Sequence, residues 1–208
     1  MFEILRKHKL RLNTEKCAFR VGAGKFLGYL ITSHRIEVNL DQIEVVKHLR
    51  SPSNPKEVQV STGMLAALNR FISKFSNRCR PFYQLLKKWK GFQWDDECEK
   101  AFQDLKEYLT RASMLTAPEP GEKLFMYLSV SDHAVSAVLL RDWGVQPPVY
   151  YISKTLVDAE TRYLPLEKLV LALVHAIRKL PQYFQAHTVY VLTKYPLQSL
   201  LKRFDFTR

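Results

Sequence analysis

Apolar positions along the first half of the chain switch between two periods. MFEILRKHKLRL (residues 1–12) sets Phe2 and Leu5 on one side of a short helix. KCAFRV (16–21) alternates, GAG (22–24) reads as a turn, and KFLGYLIT (25–32) alternates back, which predicts a β-hairpin. Ser33 to Arg35 predict a second turn and IEV (36–38) a brief strand. The period then becomes helical. Asn39 precedes a stripe of Ile43, Val46 and Leu49, and SPSNP (51–55) interrupts it. Asn54, Pro55 and Glu57 form a helix start, with a cap, a proline at the first position and a capping box. Val58, Leu65, Leu68 and Ile72 give that helix its buried face. A third helix is expected from about Pro81 to Trp89. A fourth, capped by Asp95, carries Cys98, Ala101, Phe102, Leu105 and Leu109 at helical spacing.

TAPEPGEK (116–123) reads as a linker, with two prolines, a glycine and charges. Beyond it the pattern is three strands, near 124–130, 134–141 and 148–153, and then an apolar helix near 165–180. A strand at 188–193 and a helix start at PLQSLLKRF follow, an order that suits a sheet covered by helices. The chain stops soon afterwards, so an edge of this sheet is expected to be short or uncovered.

Charge sharpens the picture. Lys+Arg number 32 against 20 Asp+Glu, a net charge of +12, which points to a polyanionic partner, nucleic acid above all. From Lys47 to Lys90 the basic residues are Lys47, Arg50, Lys56, Arg70, Lys74, Arg78, Arg80, Lys87, Lys88 and Lys90, with Glu57 the one acid among them. Asp95, Asp96, Glu97, Glu99, Asp104 and Glu107 crowd the next helix. The basic stretch either follows a phosphate backbone or docks on that acidic helix. The cysteines, Cys17, Cys79 and Cys98, are odd in number and far apart, which predicts a reducing compartment with neither disulfides nor a zinc site. No apolar run reaches transmembrane length, so no membrane partner is expected.

Several stretches, in order, resemble one family. KCAFRVGAGKFLGYLIT resembles the end of the palm in gypsy-type LTR-retrotransposon reverse transcriptases, with their lysine-cysteine-x-phenylalanine strand and phenylalanine-leucine-glycine hairpin. NPKEVQVSTGMLAALNRFISKF resembles the first long thumb helix, and FQWDDECEKAFQDLKEYL the tryptophan-led helix that follows. PVYYISKTLVDAETRYLPLEKLVLALVHAIRKLPQYFQAHTVYVLTKYPL resembles the RNase H-like segment. The likeness looks closest to plant elements whose Pol polyprotein carries a degenerate RNase H-like domain before an active one.

The resemblance implies a primer grip at Phe26, Leu27, Gly28 and Tyr29. It implies a duplex-binding thumb, with Lys25, Lys56, Arg70, Lys74, Arg78, Arg80, Lys87 and Lys88 as nucleic-acid contacts. It also implies magnesium chemistry, for which the ligands are missing. The polymerase's paired aspartates belong to a motif upstream of this region, and Asp95-Asp96 reads as a helix cap. The RNase H carboxylates fall at Ser129, Leu169 and Lys194, none of them acidic. Asp132 falls on the wrong side of the strand or in the turn, and Glu167 about 200° round the helix from Leu169.

The sequence therefore predicts an α+β protein: a β-hairpin and helical thumb subdomain, then an RNase H-like mixed sheet with helices, truncated at its C-terminus. The expected divisions are 1–38 for the palm's end, 39–118 for the thumb and 119–208 for the degenerate RNase H-like domain. The expected activity is non-catalytic binding of an RNA–DNA hybrid or double-stranded nucleic acid, with no cofactor and no metal site, and other Pol domains or subunits are further candidate partners. The alternatives are a reverse transcriptase/RNase H enzyme, as the family implies, and a domesticated protein-interaction module.

Overall fold

A computed structural model describes residues 2–13, 22–26, 29–32, 35–38, 40–87, 91–111 and 114–198. The strand KCAFRV lies outside these residues, as do Leu27, Gly28 and Lys88. The fold is α+β, with two four-stranded sheets.

The first sheet is wholly antiparallel, in the order β1 (Ala23–Phe26), β2 (Tyr29–Thr32), β3 (Arg35–Val38) and β4 (Leu115–Thr116). The expected single strand over 25–32 is two strands, because Phe26 and Tyr29 are antiparallel partners in β1 and β2. GAG is not the turn: Ala23 and Gly24 pair with Thr32 and Ile31. Glycine tolerates extended backbone as readily as a turn, so its composition alone misplaces the reversal.

Helices α1 (Phe2–Lys7), α2 (Leu40–His48), α3 (Pro55–Ala67), α4 (Phe75–Arg78), α5 (Arg80–Lys87) and α6 (Asp96–Thr110) make up the helical half, with a 3₁₀ turn at Asn69–Phe71. The start of α3 follows from its sequence. The Asn54 side chain accepts from the Glu57 amide at 3.0 Å, and the Glu57 carboxylate reaches back to the Ser53 amide at 2.7 Å. At α6, Asp95 accepts from the Cys98 amide at 2.8 Å. That backbone bond leads the causes that lower its pKa, so the Asp95 carboxylate is held as a cap. Val58 and Leu65 are buried on α3, as their spacing predicts; Leu68 and Ile72 are buried too, but beyond the end of the helix at Ala67, together with Phe71, Phe82, Phe102, Leu105 and Leu109. Trp94 stacks on Phe82 at 5.7 Å and meets Phe102 edge-on at 5.8 Å, a geometry aromatic pairs favour.

The second sheet runs β7 (Pro148–Thr155), β6 (Ala134–Arg141), β5 (Leu124–Val130), β8 (Val189–Leu192). The first three form an antiparallel meander. After α7 (Asp158–Thr161), α8 (Pro165–Lys179) and α9 (Pro181–Ala186), β8 returns parallel to β5. Leu124, Met126 and Leu139 pack with Leu173, Ala176 and Leu180 of the helical layer. Helical spacing would put Leu166, Leu169, Val170, Leu173 and Ile177 of α8 on one apolar stripe, but the buried face is turned from it: it is Lys168, Leu169, Ala172, Leu173 and Ala176, while Ile177 is 42% exposed.

The halves meet along a polar seam. The Ser76 amide donates to Ser153 Oγ at 3.0 Å, and the Ser131 hydroxyl donates to Asn77 Oδ1 at 2.9 Å. TAPEPGEK is tied down rather than loose. Thr116 donates to the Pro148 carbonyl at 3.3 Å, Arg141 Nε donates to both Glu122 oxygens at 2.9 Å, and His187 Nδ1 lies 3.0 Å from the Glu122 carbonyl.

Candidate nucleic-acid interface

On the hairpin, the Tyr29 ring packs on Phe71, centroids 5.5 Å apart, and its hydroxyl donates to the Ala67 carbonyl at the end of α3. Tyr29 is thereby anchored to the long helix of the helical half. The Lys25 and Phe26 side chains lie outside what is described, although both residues belong to β1.

Along α3, Lys56, Gln59, Val60, Gly63, Met64 and Ala67 are exposed. Their spacing of three and four residues sets them on one face. Gly63 stands in the middle of it. A Cβ built there meets nothing within 4 Å, and its φ lies outside the left-handed region. Glycine inside a helix costs about 1 kcal/mol relative to alanine, and neither packing nor backbone geometry within the fold requires it here.

The predicted cations divide into two sets. Lys56, Lys74, Arg80 and Lys87 are exposed. Arg70 and Arg78 are half-buried and engaged with rings. The Arg70 guanidinium lies over Tyr29 at 4.9 Å and over Tyr150 at 5.3 Å. Arg78 lies over Tyr108 at 4.4 Å and donates from Nε to the Ser73 carbonyl at 3.0 Å. Tyr108 and Tyr150 are the residues that the sequence did not single out, since nothing local marks a tyrosine as the seat of a distant arginine. Among the described residues, no ion pair joins the six cations to the carboxylates of α6; the salt bridges there are Lys47–Glu44, His48–Glu44, Arg111–Glu107, Arg141–Glu122 and Lys154–Glu160.

The three positions expected to hold RNase H carboxylates carry none. β5 and β8 pair in parallel up to Tyr127 and Leu192; Ser129 lies two residues further along β5, and Lys194 lies in a bend past the end of β8. Leu169 is buried on α8, which packs on β5. Magnesium takes oxygen ligands, chiefly carboxylates. A hydroxyl, an alkyl group and an ammonium do not fit it. Of the neighbouring acids, the Glu167 carboxylate accepts from the Leu164 amide at 2.8 Å, and Asp132 sits exposed in the β5–β6 turn, with its backbone carbonyl 3.3 Å from Lys168 Nζ. Among the described residues no three His, Cys, Asp or Glu side chains are grouped to hold a metal. Burial pushes the Cys79 and Cys98 thiols up to about 12, so neither is a ready nucleophile.

The family described as "RNase H-like domain found in reverse transcriptase" matches residues 94–191. The Pol polyprotein of Drosophila melanogaster transposon 297 is 28% identical over 88% of this chain and 17% of its own length; that of transposon opus is 28% identical over 97% and 22%. The Tf2-3 transposon polyprotein of Schizosaccharomyces pombe is 28% identical over 88% of this chain and 14% of its own length. The chain thus spans about a fifth or less of the curated relatives it matches. Two foamy viral protease–reverse transcriptases, one in complex with double-stranded DNA and one with an RNA/DNA hybrid, share its fold. They are each 24% identical, with TM-scores of 0.73 and 0.74, over 97% and 90% of this chain and 36% and 26% of theirs. The chain is therefore similar to Pol polyproteins of retrotransposons, and its residues 94–191 match the RNase H-like domain found in reverse transcriptase.

Proposed function

We propose that this chain is a non-catalytic, duplex-binding portion of a gypsy-type retrotransposon reverse transcriptase, closest to plant elements. Residues 1–38 end the palm and present a primer grip at Phe26, Leu27, Gly28 and Tyr29. Residues 39–118 are the thumb, and 119–208 are a connection module descended from RNase H. The partner is an RNA–DNA hybrid or double-stranded nucleic acid, with catalysis supplied by other Pol domains or subunits. The observation that carries this reading is Gly63: a glycine in the middle of an exposed helix face, required by nothing inside the fold, suits close approach by an external backbone. Lys25, Lys56, Lys74, Arg80, Lys87 and Lys88 supply phosphate contacts, while Arg70 and Arg78 hold the surface in shape. Ser129, Leu169 and Lys194 account for the absence of hydrolysis.

The test is a titration of purified protein with a labelled RNA–DNA hybrid in magnesium buffer across a salt series, recording binding and strand cleavage together. Tight binding that weakens steeply with salt, with the RNA intact, is expected. Cleavage that survives repeated purification overturns the non-catalytic reading. Absence of binding at low salt overturns the duplex reading.

A further inference from the structure

The face of the second sheet opposite α8 is only partly covered. The helical half lies over β6 and β7, where Ser76 meets Ser153 and Tyr151 packs into the first core. Over β5 and β8, among the described residues, the same face keeps large apolar side chains exposed. Side chains alternate along a strand, so Phe125 and Tyr127 share this face while Leu124 and Met126 point to the α8 core. The parallel register sets Tyr190 beside Phe125 and Leu192 beside Tyr127. Tyr127, Tyr190 and Leu192 are 40%, 43% and 39% exposed. The Phe125 and Tyr190 rings stand 5.8 Å apart and tilted by 42°, so neither stacks its face on the other.

We propose that this face of β5 and β8 is a stacking platform for the unpaired bases of a single-stranded nucleic acid. Contiguous apolar surface of this kind marks a binding site. The charge at its margins selects the partner. Lys123 Nζ lies 6.0 Å from the Tyr190 ring centroid, and Lys194 follows β8 two residues after Leu192. The nearest carboxylate in sequence, Glu122, is neutralised by Arg141. Cations bordering exposed tyrosines are the combination that single-strand binders use: the phosphates follow the lysines and the bases lie on the rings. A duplex offers no free base faces to such rings, so this site is distinct from the α3 surface and selects a different strand state. Phenolic hydroxyls are not needed for stacking.

The experiment uses the full chain with a fluorescent 20-nucleotide oligo(dT) and, separately, a 20-base-pair blunt duplex. Each stacked base contributes enough that Tyr127→Ala/Tyr190→Ala is expected to weaken oligo(dT) binding roughly thirty-fold or more. Duplex affinity should stay within about twofold. Tyr127→Phe/Tyr190→Phe should bind oligo(dT) like the parent protein. Photocrosslinking of 5-iodouracil-substituted oligonucleotide to the unaltered protein should map to Tyr127 or Tyr190, which decides the matter even if the alanine variant folds poorly. Unchanged oligo(dT) affinity in a folded alanine variant, or crosslinks confined to other peptides, overturns the platform. So does self-association that the alanine pair abolishes without any effect on oligo(dT), because the face is then a contact between copies. Loss of duplex binding alone bears on the α3 surface and leaves the platform standing.

Discussion

The backbone amide of Ser76 donates a hydrogen bond to the hydroxyl of Ser153, 77 residues away in sequence, at 3.0 Å. Ser153 in turn lies 3.0 Å from the Ser136 hydroxyl on the neighbouring strand. One serine thus ties the helical half to the centre of the second sheet. Ser153→Val strands a half-buried amide and a buried hydroxyl, which costs about 1–3 kcal/mol. The expected outcome is a lowered urea midpoint and faster hydrogen exchange at the Ser76 amide. An unchanged exchange rate there shows that the seam does not depend on this bond.

Gly63 yields opposite predictions for stability and binding. Gly63→Ala meets no obstruction and removes unfolded-chain freedom, so it should stabilise the protein by about 0.5–1 kcal/mol. The same methyl group stands where a nucleic-acid backbone is expected to approach. Duplex affinity should fall with Gly63→Ala and fall further with Gly63→Leu. A variant that is both more stable and equally tight in binding removes the reason for a glycine at this position.

Much of this architecture is legible locally. Asn54, Pro55 and Asp95 mark helix starts because caps are short-range hydrogen bonds, and Val58 and Leu65 are buried because a helix repeats every 3.6 residues. What depends on distant partners is not legible. β4 is two residues long, too short for any period, and joins the first sheet only through Arg35 and Ile36. TAPEPGEK has a linker's composition, yet Arg141 and His187, far along the chain, hold Glu122 in place. The basic character of Arg70 is written in the sequence; the two tyrosines beneath it come from different sheets and are not. The carboxylate positions are the reverse case. Their replacement is visible in residue identity alone, and the fold adds that Leu169 is buried on α8 while Lys194 is exposed past β8.

Arg70 and Lys56 separate structure from binding. Arg70 bridges Tyr29 of the first sheet and Tyr150 of the second, and each cation–π contact contributes about 0.5–1 kcal/mol. Arg70→Ala should therefore lower stability by about 1–2 kcal/mol and leave the salt dependence of duplex binding unchanged. Lys56→Ala should leave the urea midpoint alone and reduce the slope of log affinity against log salt by about 1. Measured together, the pair shows which cations face phosphate. A reduced slope for Arg70→Ala in folded protein reassigns that guanidinium to the nucleic acid.

Restoring the carboxylates one at a time exposes what replaced them. Leu169 is 3% exposed on the packed face of α8. Leu169→Glu buries an unpaired charge and should cost about 3 kcal/mol or more. Lys194 is exposed just past β8, so Lys194→Asp should change stability by no more than about 0.5 kcal/mol. Thermal melts of the two variants give the comparison. Near-neutral Leu169→Glu indicates that the helix retains room for a carboxylate and that the site is closed only by chemistry.

His175 on α8 makes stability pH-dependent above the carboxylate range. Burial, chiefly, holds its pKa below the usual value of 6.5; Lys179, Lys154 and Arg178 add to the effect, and Glu160 opposes it. Because the folded form binds its proton less readily than the unfolded form, the stabilising difference is fully present above about pH 6.5 and is lost as pH falls below it. Glu99, Glu122 and Glu160, whose pKa values are lowered from 4.5, contribute their own acid loss only further down. Urea midpoints should therefore fall between pH 7.5 and pH 5.5, and His175→Gln should flatten that decline while leaving the steeper loss below pH 4.5 intact. A decline of equal size in the variant assigns the upper window to another group.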